Sequence, residues 1–329
     1  MGYVLLRLIY NPDTVGDRLS ASDTIDLDHK HPPKTSNTLA ASLWRGVTVK
    51  KRPGERGEST VRAATQLRSC TGAVIMGFAI SIAAGSGALA QNTLEVSEMI
   101  DDLVAANHIL YHQGVLDGFG HVSIRDPRNP SRFLMSRALA PGLVTPRDIM
   151  EFDFDGKPSD QQGREVYSER FIHAEIYRAR ADVHAVVHSH SPTVIPFSVT
   201  QMPLRPVATT ASFLHAGVPV FEIRNVAGMT DMLVRNSSLG KALAATLGAG
   251  PVVLLRGHGN AVVGPDVRRV VSRAIYTEVN SRLQLQALAL GGPITYISPE
   301  EGTKMEEGRD ANRMGSGRRQ DRTWEMWKQ

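Results

Sequence analysis

Apolar residues recur at helical spacing in LEVSEMIDDLVAANHILYHQG, through Val96, Met99, Ile100, Leu103, Val104, Ile109 and Leu110, and Gly114 marks the end of this predicted helix. Three pieces with strand character follow, HVSIRD, RFLMS and IMEFDFDG, the last closing in the turn signal Asp155-Gly156. Helical periodicity returns in YSERFIHAEIYRAR through Phe171, Ile172 and Ile176, with Ser168 placed as its N-cap. AVVHSH and VPVFEI read as strands, and DMLVRNSSLGKALAATLG as a helix stopped by glycine. PVVLLRGHGNAVVG reads as an apolar hairpin turning at Gly257-His258-Gly259-Asn260. A long helix comes next, DVRRVVSRAIYTEVNSRLQLQALALGG, with Asp266 as N-cap and Gly291 past its end. The mixture predicts an α/β unit over residues 92–298, a central mixed sheet flanked by helices, with no internal repeat.

The flanks differ. Residues 1–70 show little periodicity and hold polar stretches such as DHKHPPKTSN, so they read as a disordered or misassigned leader. His29 and His31 form an HxH pair there, in a polar, Pro-flanked setting that reads as solvated. Residues 71–91, TGAVIMGFAISIAAGSGALAQ, follow Arg62 and Arg68, carry no charge, have an apolar centre, and end Ala88-Leu89-Ala90 before Gln91. That is the layout of a secretory signal peptide, with a start expected near residue 60 and cleavage after Ala90. A membrane anchor or a buried helix is the alternative, although the run is weak and Gly-rich for a stable span. Residues 299–329 read as a solvated polar tail, in which Arg309, Arg313, Arg318, Arg319 and Arg322 mix with Glu306, Glu307 and Asp310.

Composition narrows the chemistry. The chain has 329 residues, 42% hydrophobic and 21% charged, an ordinary globular balance. The formal net charge of +4 is small against 37 basic and 33 acidic residues, and no basic stripe interleaves with aromatics, so nucleic acid is not indicated. Cys70 is the one cysteine, which rules out an internal disulfide and a zinc-thiolate site. Any metal is therefore held by nitrogen and oxygen.

His188 and His190 lie two apart at the end of a strand and so project to the same side. The plainer reading of a bare HxH is two polar residues at a strand terminus. His258 changes the weighing, because it sits between Gly257 and Gly259 directly after Val252-Val253-Leu254-Leu255, and glycines permit close backbone approach. Together the three imidazoles describe an open, catalytic type of divalent-metal site. Zn²⁺ fits first, and Mn²⁺, Fe²⁺ or Co²⁺ also accept imidazole. Glu169, at the start of the preceding helix, reads either as a capping carboxylate or as a general acid/base. His173, one turn later, is expected to be structural, bonding a backbone or carboxylate partner, or less directly orienting Glu169. His108 and His112, at i and i+4 on the first helix, read as surface or packing residues.

SERFIHAEIYRARADVHAVVHSHS followed by RGHG resembles the class II aldolase/adducin superfamily over roughly residues 93–297. Nineteen residues separate Glu169 from His188 and sixty-eight separate His190 from His258, in keeping with that family's glutamate, HxH pair and third histidine. The resemblance implies Glu169 as catalytic residue and His188, His190 and His258 as metal ligands. It further implies an αβα layered fold with a central mixed, largely antiparallel sheet, and a homotetramer with interfacial active sites. A cytoplasmic location is usual for the family, whereas use of the signal-like segment would export the protein.

Departures from the sugar-phosphate aldolases of the family are informative. Their phosphate-binding GN-x-S segment, T-x-[ST]-G loop and serine pair are replaced by Gly120-His121-Val122-Ser123, Met135-Ser136-Arg137-Ala138 and Tyr167-Ser168. His121, Ser136 and Arg137 then become candidates to bind substrate, and an arginine suits a carboxylate through two parallel hydrogen bonds. GHVSIRDP, FLMSR and HSHSPTVIPFSVT resemble the branch that decarboxylates dihydroxylated aromatic acids or ring-cleavage products, including HCOMODA (2-hydroxy-3-carboxymuconate semialdehyde) decarboxylases. The expected activity is a metal-dependent carbon–carbon lyase on a small carboxylate, foremost a decarboxylase. An aldolase on an unphosphorylated 2-oxo acid, a non-haem iron oxygenase and a non-catalytic adducin-like module are the alternatives.

Overall fold

The computed structural model describes residues 95–315 and 322–329. The leader and signal-like readings, with His29, His31 and Cys70, lie outside the described residues. Among the described residues, no helix is long and apolar enough to cross a membrane.

Among the described residues, seven strands form one sheet: β1 (His121–Arg125), β2 (Arg132–Ser136), β3 (Ile149–Asp153), β4 (Ala185–Ser189), β5 (Val220–Phe221), β6 (Val252–Leu255) and β7 (Gly259–Gly264). Their spatial order is β3-β2-β1-β4-β7-β6-β5. Every neighbouring pair is antiparallel except β5 and β6, which run parallel. The helices are α1 (95–112), α2 (Arg170–Ala179), α3 (Ile195–Val199), α4 (Arg224–Ala227), α5 (Ser237–Leu247), α6 (Val267–Ala289), α7 (Pro299–Gly315) and α8 (Arg322–Trp327).

Strand alternation divides the core in two. Val122, Ile124, Ala185, Val187, Leu254 and Val262 meet Leu103 and Leu110 of α1 and Val270 and Val271 of α6 on one face. Phe133, Met135, Val186, Val253 and Val263 meet Ile172 and Ile176 of α2 and Leu243 and Leu247 of α5 on the other. Helices thus cover both faces, the αβα layering expected for a mixed, largely antiparallel sheet. By the same alternation His121, Ser123 and Arg125 of β1, and His188 of β4, share the α2 face.

Three local readings are adjusted. Helix α2 begins at Arg170 with Glu169, not Ser168, in the N-cap position, and no side chain caps it. Helix α5 begins only at Ser237, because Asn236 accepts the Leu239 N–H and stops the helix from extending backwards. VPVFEI pairs only at Val220–Phe221. Asp266 does cap α6, accepting the Arg269 N–H.

The solvated-tail reading of 299–329 is corrected for its described residues. Glu306 of α7 accepts from the Ser212 hydroxyl at 2.6 Å and is ion-paired with Arg269 of α6. Trp324 of α8 is fully buried, and Lys328 pairs with Asp102 of α1 at 2.8 Å. A mixed-charge run reads as solvated when its partners lie far away in the chain, as these do.

Candidate active site

The site is assembled where β4, the β6–β7 turn and the start of α2 meet. His188 lies on β4 and His190 one residue beyond Ser189, so the pair leaves the strand on one side. The chain just after them is tied to α6, where the Thr193 N–H and hydroxyl both donate to the Glu278 carboxylate. His258 occupies the β6–β7 turn. Gly257 adopts φ +64°, and a Cβ at Gly259 would collide with the Ser189 carbonyl oxygen, so both glycines are needed to bring this turn against the end of β4.

Glu169, His188, His190 and His258 converge, with one ligand atom from each lying within 4.8 Å of the others. Glu169 Oε2 stands 3.6 Å from His188 Nε2 and 3.4 Å from His258 Nε2, while Oε1 accepts the Val234 N–H at 2.9 Å. His188 Nδ1 donates to the Asn260 carbonyl at 3.1 Å, and His258 Nδ1 to the Met232 carbonyl at 3.2 Å. These bonds hold both rings in the tautomer whose Nε2 carries a lone pair. Among the described residues, His188 Nε2 is buried with no hydrogen-bond partner. His190 Nε2 faces His258 Nε2 at 3.0 Å. Two imidazoles bound to one tetrahedral ion at ~2.0–2.1 Å stand ~3.3 Å apart, so the donor set fits a divalent metal of imidazole and carboxylate preference.

The electrostatics agree with that fit. Burial, with His188 and His258 close by, pushes His190 down to about 4, so it is a neutral imidazole at ordinary pH. Burial alone would raise the Glu169 carboxyl, but its contacts with His188 and His258 hold it well below the usual carboxylate range. Burial alone would lower His258, and the Glu169 carboxylate outweighs it and raises the ring above its ordinary value. The carboxylate thus concentrates positive charge at this point, as a cation-binding site requires.

The other sequence candidates fall around this cluster. His121 sits opposite His188 in the β1–β4 register, their rings 5.1 Å apart, and packs on Tyr167 at 4.5 Å. Ser136 Oγ lies 3.4 Å from the Tyr167 hydroxyl and so reaches the site through that ring. Arg137 is not free: its Nε donates to Asp148 Oδ1 at 2.6 Å. One edge of its guanidinium is thereby taken, and its Nη atoms have no partner among the described residues. Among the described residues no contact joins Arg137 to the four-residue cluster. His108 is a packing residue, bonded through Nε2 to the Val144 carbonyl at 2.8 Å.

His173 departs from its expected role. Its partners are His121 and Ser123, not a backbone group, a carboxylate or Glu169. It belongs to a stripe on α2, Glu169, His173 and Tyr177, spaced four apart, which faces His121, Ser123 and Arg125, spaced two apart on β1. Four helical residues rise ~6.0 Å and two strand residues ~6.8 Å, so the two stripes run nearly in step. Burial pushes His173 down to about 3 from 6.5. The folded state then binds fewer protons than the unfolded chain below pH ~6.5, so stability present above that pH is lost as pH falls, at up to ~1.4 kcal/mol per pH unit. Urea-unfolding midpoints should accordingly drop between pH 7 and pH 5 more steeply for the wild type than for His173→Gln. Parallel slopes would remove His173 from this account.

Several supporting residues carried no sequence signal. The Met232 carbonyl and Val234 N–H come from the loop before α5, which reads as helix from its periodicity, and Met232 takes φ +67° without being glycine. Glu278 looks like one more charge on a long helix. Asn260 was visible only as part of the hairpin turn.

Comparison with known proteins places this geometry in context. The family model described as the class II aldolase and adducin N-terminal domain matches residues 101–285. The decarboxylase tropJ of Talaromyces stipitatus is 36% identical over 259 residues, covering 71% of this chain and 94% of that protein. A 3,4-dihydroxyphthalate decarboxylase of Arthrobacter keyseri is 32% identical over 206 residues, 58% of this chain and 79% of that one. Among solved structures, the L-fuculose 1-phosphate aldolase from Glaciozyma antarctica PI12 superposes with a TM-score of 0.55 at 25% identity, over 65% of this chain and 82% of that chain. With a matching family model over more than half its length and a relative aligned almost end to end, the chain belongs to the class II aldolase and adducin family.

Proposed function

We propose that the protein is a divalent-metal-dependent carboxy-lyase acting on a hydroxylated aromatic or ring-cleavage, muconate semialdehyde-type carboxylic acid. The observation that carries this reading is the convergence of three imidazoles and one carboxylate, with a buried His188 Nε2 that has no hydrogen-bond partner among the described residues. Similarity to two proteins named as decarboxylases supports CO₂ loss as the reaction. His188, His190 and His258 would hold the ion, with Glu169 at its edge; Zn²⁺ is the first choice, and Mn²⁺, Fe²⁺ and Co²⁺ share the ligand preference. When bound, the ion supplies Lewis acidity that stabilises the electron pair left when the carbon–carbon bond breaks.

The chain's own residues do the rest. His121 and the free Nη atoms of Arg137 orient the substrate carboxylates. The bond to one carboxylate breaks, its electrons remain on the substrate as an enolate- or phenolate-type anion, and CO₂ leaves. Glu169, fixed through Oε1 by the Val234 N–H, keeps Oε2 turned to the site and delivers one proton to the carbon that lost CO₂. Because its carboxyl is held ionised, delivery through a water on Oε2 is the favoured route. A homotetramer with interfacial sites is part of the same proposal. It is supported by Phe119, 69% exposed and 6.2 Å from the His190 ring, which offers an apolar contact at the mouth of the site.

The test is a screen of dihydroxyphthalate-type and carboxymuconate semialdehyde-type acids for CO₂ release, with metal analysis on the same sample. CO₂ release is expected to follow metal content, to stop with a chelator and to return on metal addition. Release of an aldehyde in place of CO₂ would move the reading to an aldolase, and full turnover in metal-free protein would end it.

A further inference from the structure

We propose that Tyr177, Ser123 and His173 form a directional hydrogen-bond chain that locks His121 in one tautomer, its Nδ1 accepting and its Nε2–H presented as a fixed donor to the substrate. What meets that donor rests on the function proposed above, whereas the tautomer rests on geometry alone.

The four groups are linked in series. Tyr177 OH lies 2.8 Å from Ser123 Oγ, Ser123 Oγ 2.6 Å from His173 Nδ1, and His173 Nε2 2.6 Å from His121 Nδ1. Each link holds one hydrogen, so the end of the chain sets its direction. Tyr177 is 1% exposed, and its phenol bonds to no side chain other than Ser123 among the described residues. If Ser123 donated to Tyr177, the phenolic hydrogen would be buried with no acceptor side chain to receive it. Tyr177 therefore donates to Ser123, Ser123 to His173 Nδ1, and His173 Nε2–H to His121 Nδ1. The His121 proton is left on Nε2, which has no partner among the described residues.

The consequence is a division of labour among neighbouring imidazoles. His188 and His258 donate from Nδ1 to backbone carbonyls, so their Nε2 atoms carry lone pairs suited to a metal. His121, 5.1 Å from His188, has the opposite polarity, so it has no lone pair to offer an ion and offers a hydrogen bond in its place. The partner of each Nδ1 sorts ligand from donor. Tyr177, Ser123 and His173 are positioning residues, and His121 is the group that touches substrate.

The test is ¹⁵N NMR of the zinc-loaded protein labelled in its histidine rings, with the His121 signals assigned by their loss in His121→Gln. The wild type should show His121 as a neutral Nε2–H imidazole. Tyr177→Phe, which keeps the ring packed 5.5 Å from Phe133, should give a mixture of tautomers at His121. In turnover assays His121→Leu should raise KM about 10–100-fold, the effect of losing a hydrogen bond to a charged group, and His121→Gln, which retains an N–H donor but not the ring, should recover part of that loss. A wild-type His121 found as Nδ1–H or as a cation overturns the proposal, whatever the activity. An unchanged His121 spectrum in Tyr177→Phe overturns the role of Tyr177. An Nε2–H spectrum without turnover of any tested acid supports the chain and counts against the substrate reading instead.

Discussion

Replacing His188 with alanine is expected to abolish stoichiometric metal binding and to lower CO₂ release by about 10⁴-fold. The magnitude follows from losing metal-based charge stabilisation worth several kcal/mol in the transition state, each ~1.4 kcal/mol being tenfold in rate. Of the three proposed ligands, His188 is the one most fully committed by the fold, because it is completely buried, its Nδ1 is engaged by Asn260 and its Nε2 has no hydrogen-bond partner among the described residues. Metal content by elemental analysis and turnover on the same preparation would check this. His184→Ala, at the exposed start of the same strand segment, should leave both unchanged. A His188→Ala protein that kept full metal and activity would remove the centre from the mechanism.

Glu169→Gln should keep its metal, because the amide oxygen still accepts the Val234 N–H and all three imidazoles remain. Turnover should fall by about 10²–10⁴-fold, the range for loss of a positioned acid–base group. Breaking the carbon–carbon bond requires no base to remove a hydroxyl proton, so CO₂ release in a single turnover should survive better than formation of protonated product. Rapid-quench measurement of both separates the steps. Full activity in this variant would dismiss Glu169 as the proton-delivery residue, and loss of metal would make it a ligand.

The chemistry of the cluster was legible because strand alternation and glycine flanks are local signals. His188 and His190 follow from a spacing of two, and His258 from the turn that Gly257 and Gly259 make possible. Long-range pairing was not legible. Arg137 looks like an open anion site until Asp148, eleven residues on, is seen to hold its Nε. His173 joins residues of β1 fifty and more positions away, and only the packing of α2 on that strand brings them together. The last helices were hidden for the same reason, since the charge of Glu306 is matched by Arg269 and not by solvent. Residue type alone favours Ser168 as a cap, whereas Glu169 holds the cap position while its carboxylate turns to the imidazoles.

The near-match between α2 and β1 behaves as a vernier. Each step of four on the helix falls ~0.8 Å short of two on the strand, so two steps from Glu169 to Tyr177 accumulate ~1.6 Å. Histidine, serine and tyrosine side chains bridge that drift at the first two strand positions, where His173 meets His121 and Ser123, and Tyr177 reaches Ser123. By the third strand position the gap calls for a long side chain, and Arg125 supplies it, bonding the Tyr177 and Arg180 carbonyls at 2.7 and 2.9 Å at the end of the helix. The reach of an arginine is thus what closes a scale whose two rulings diverge.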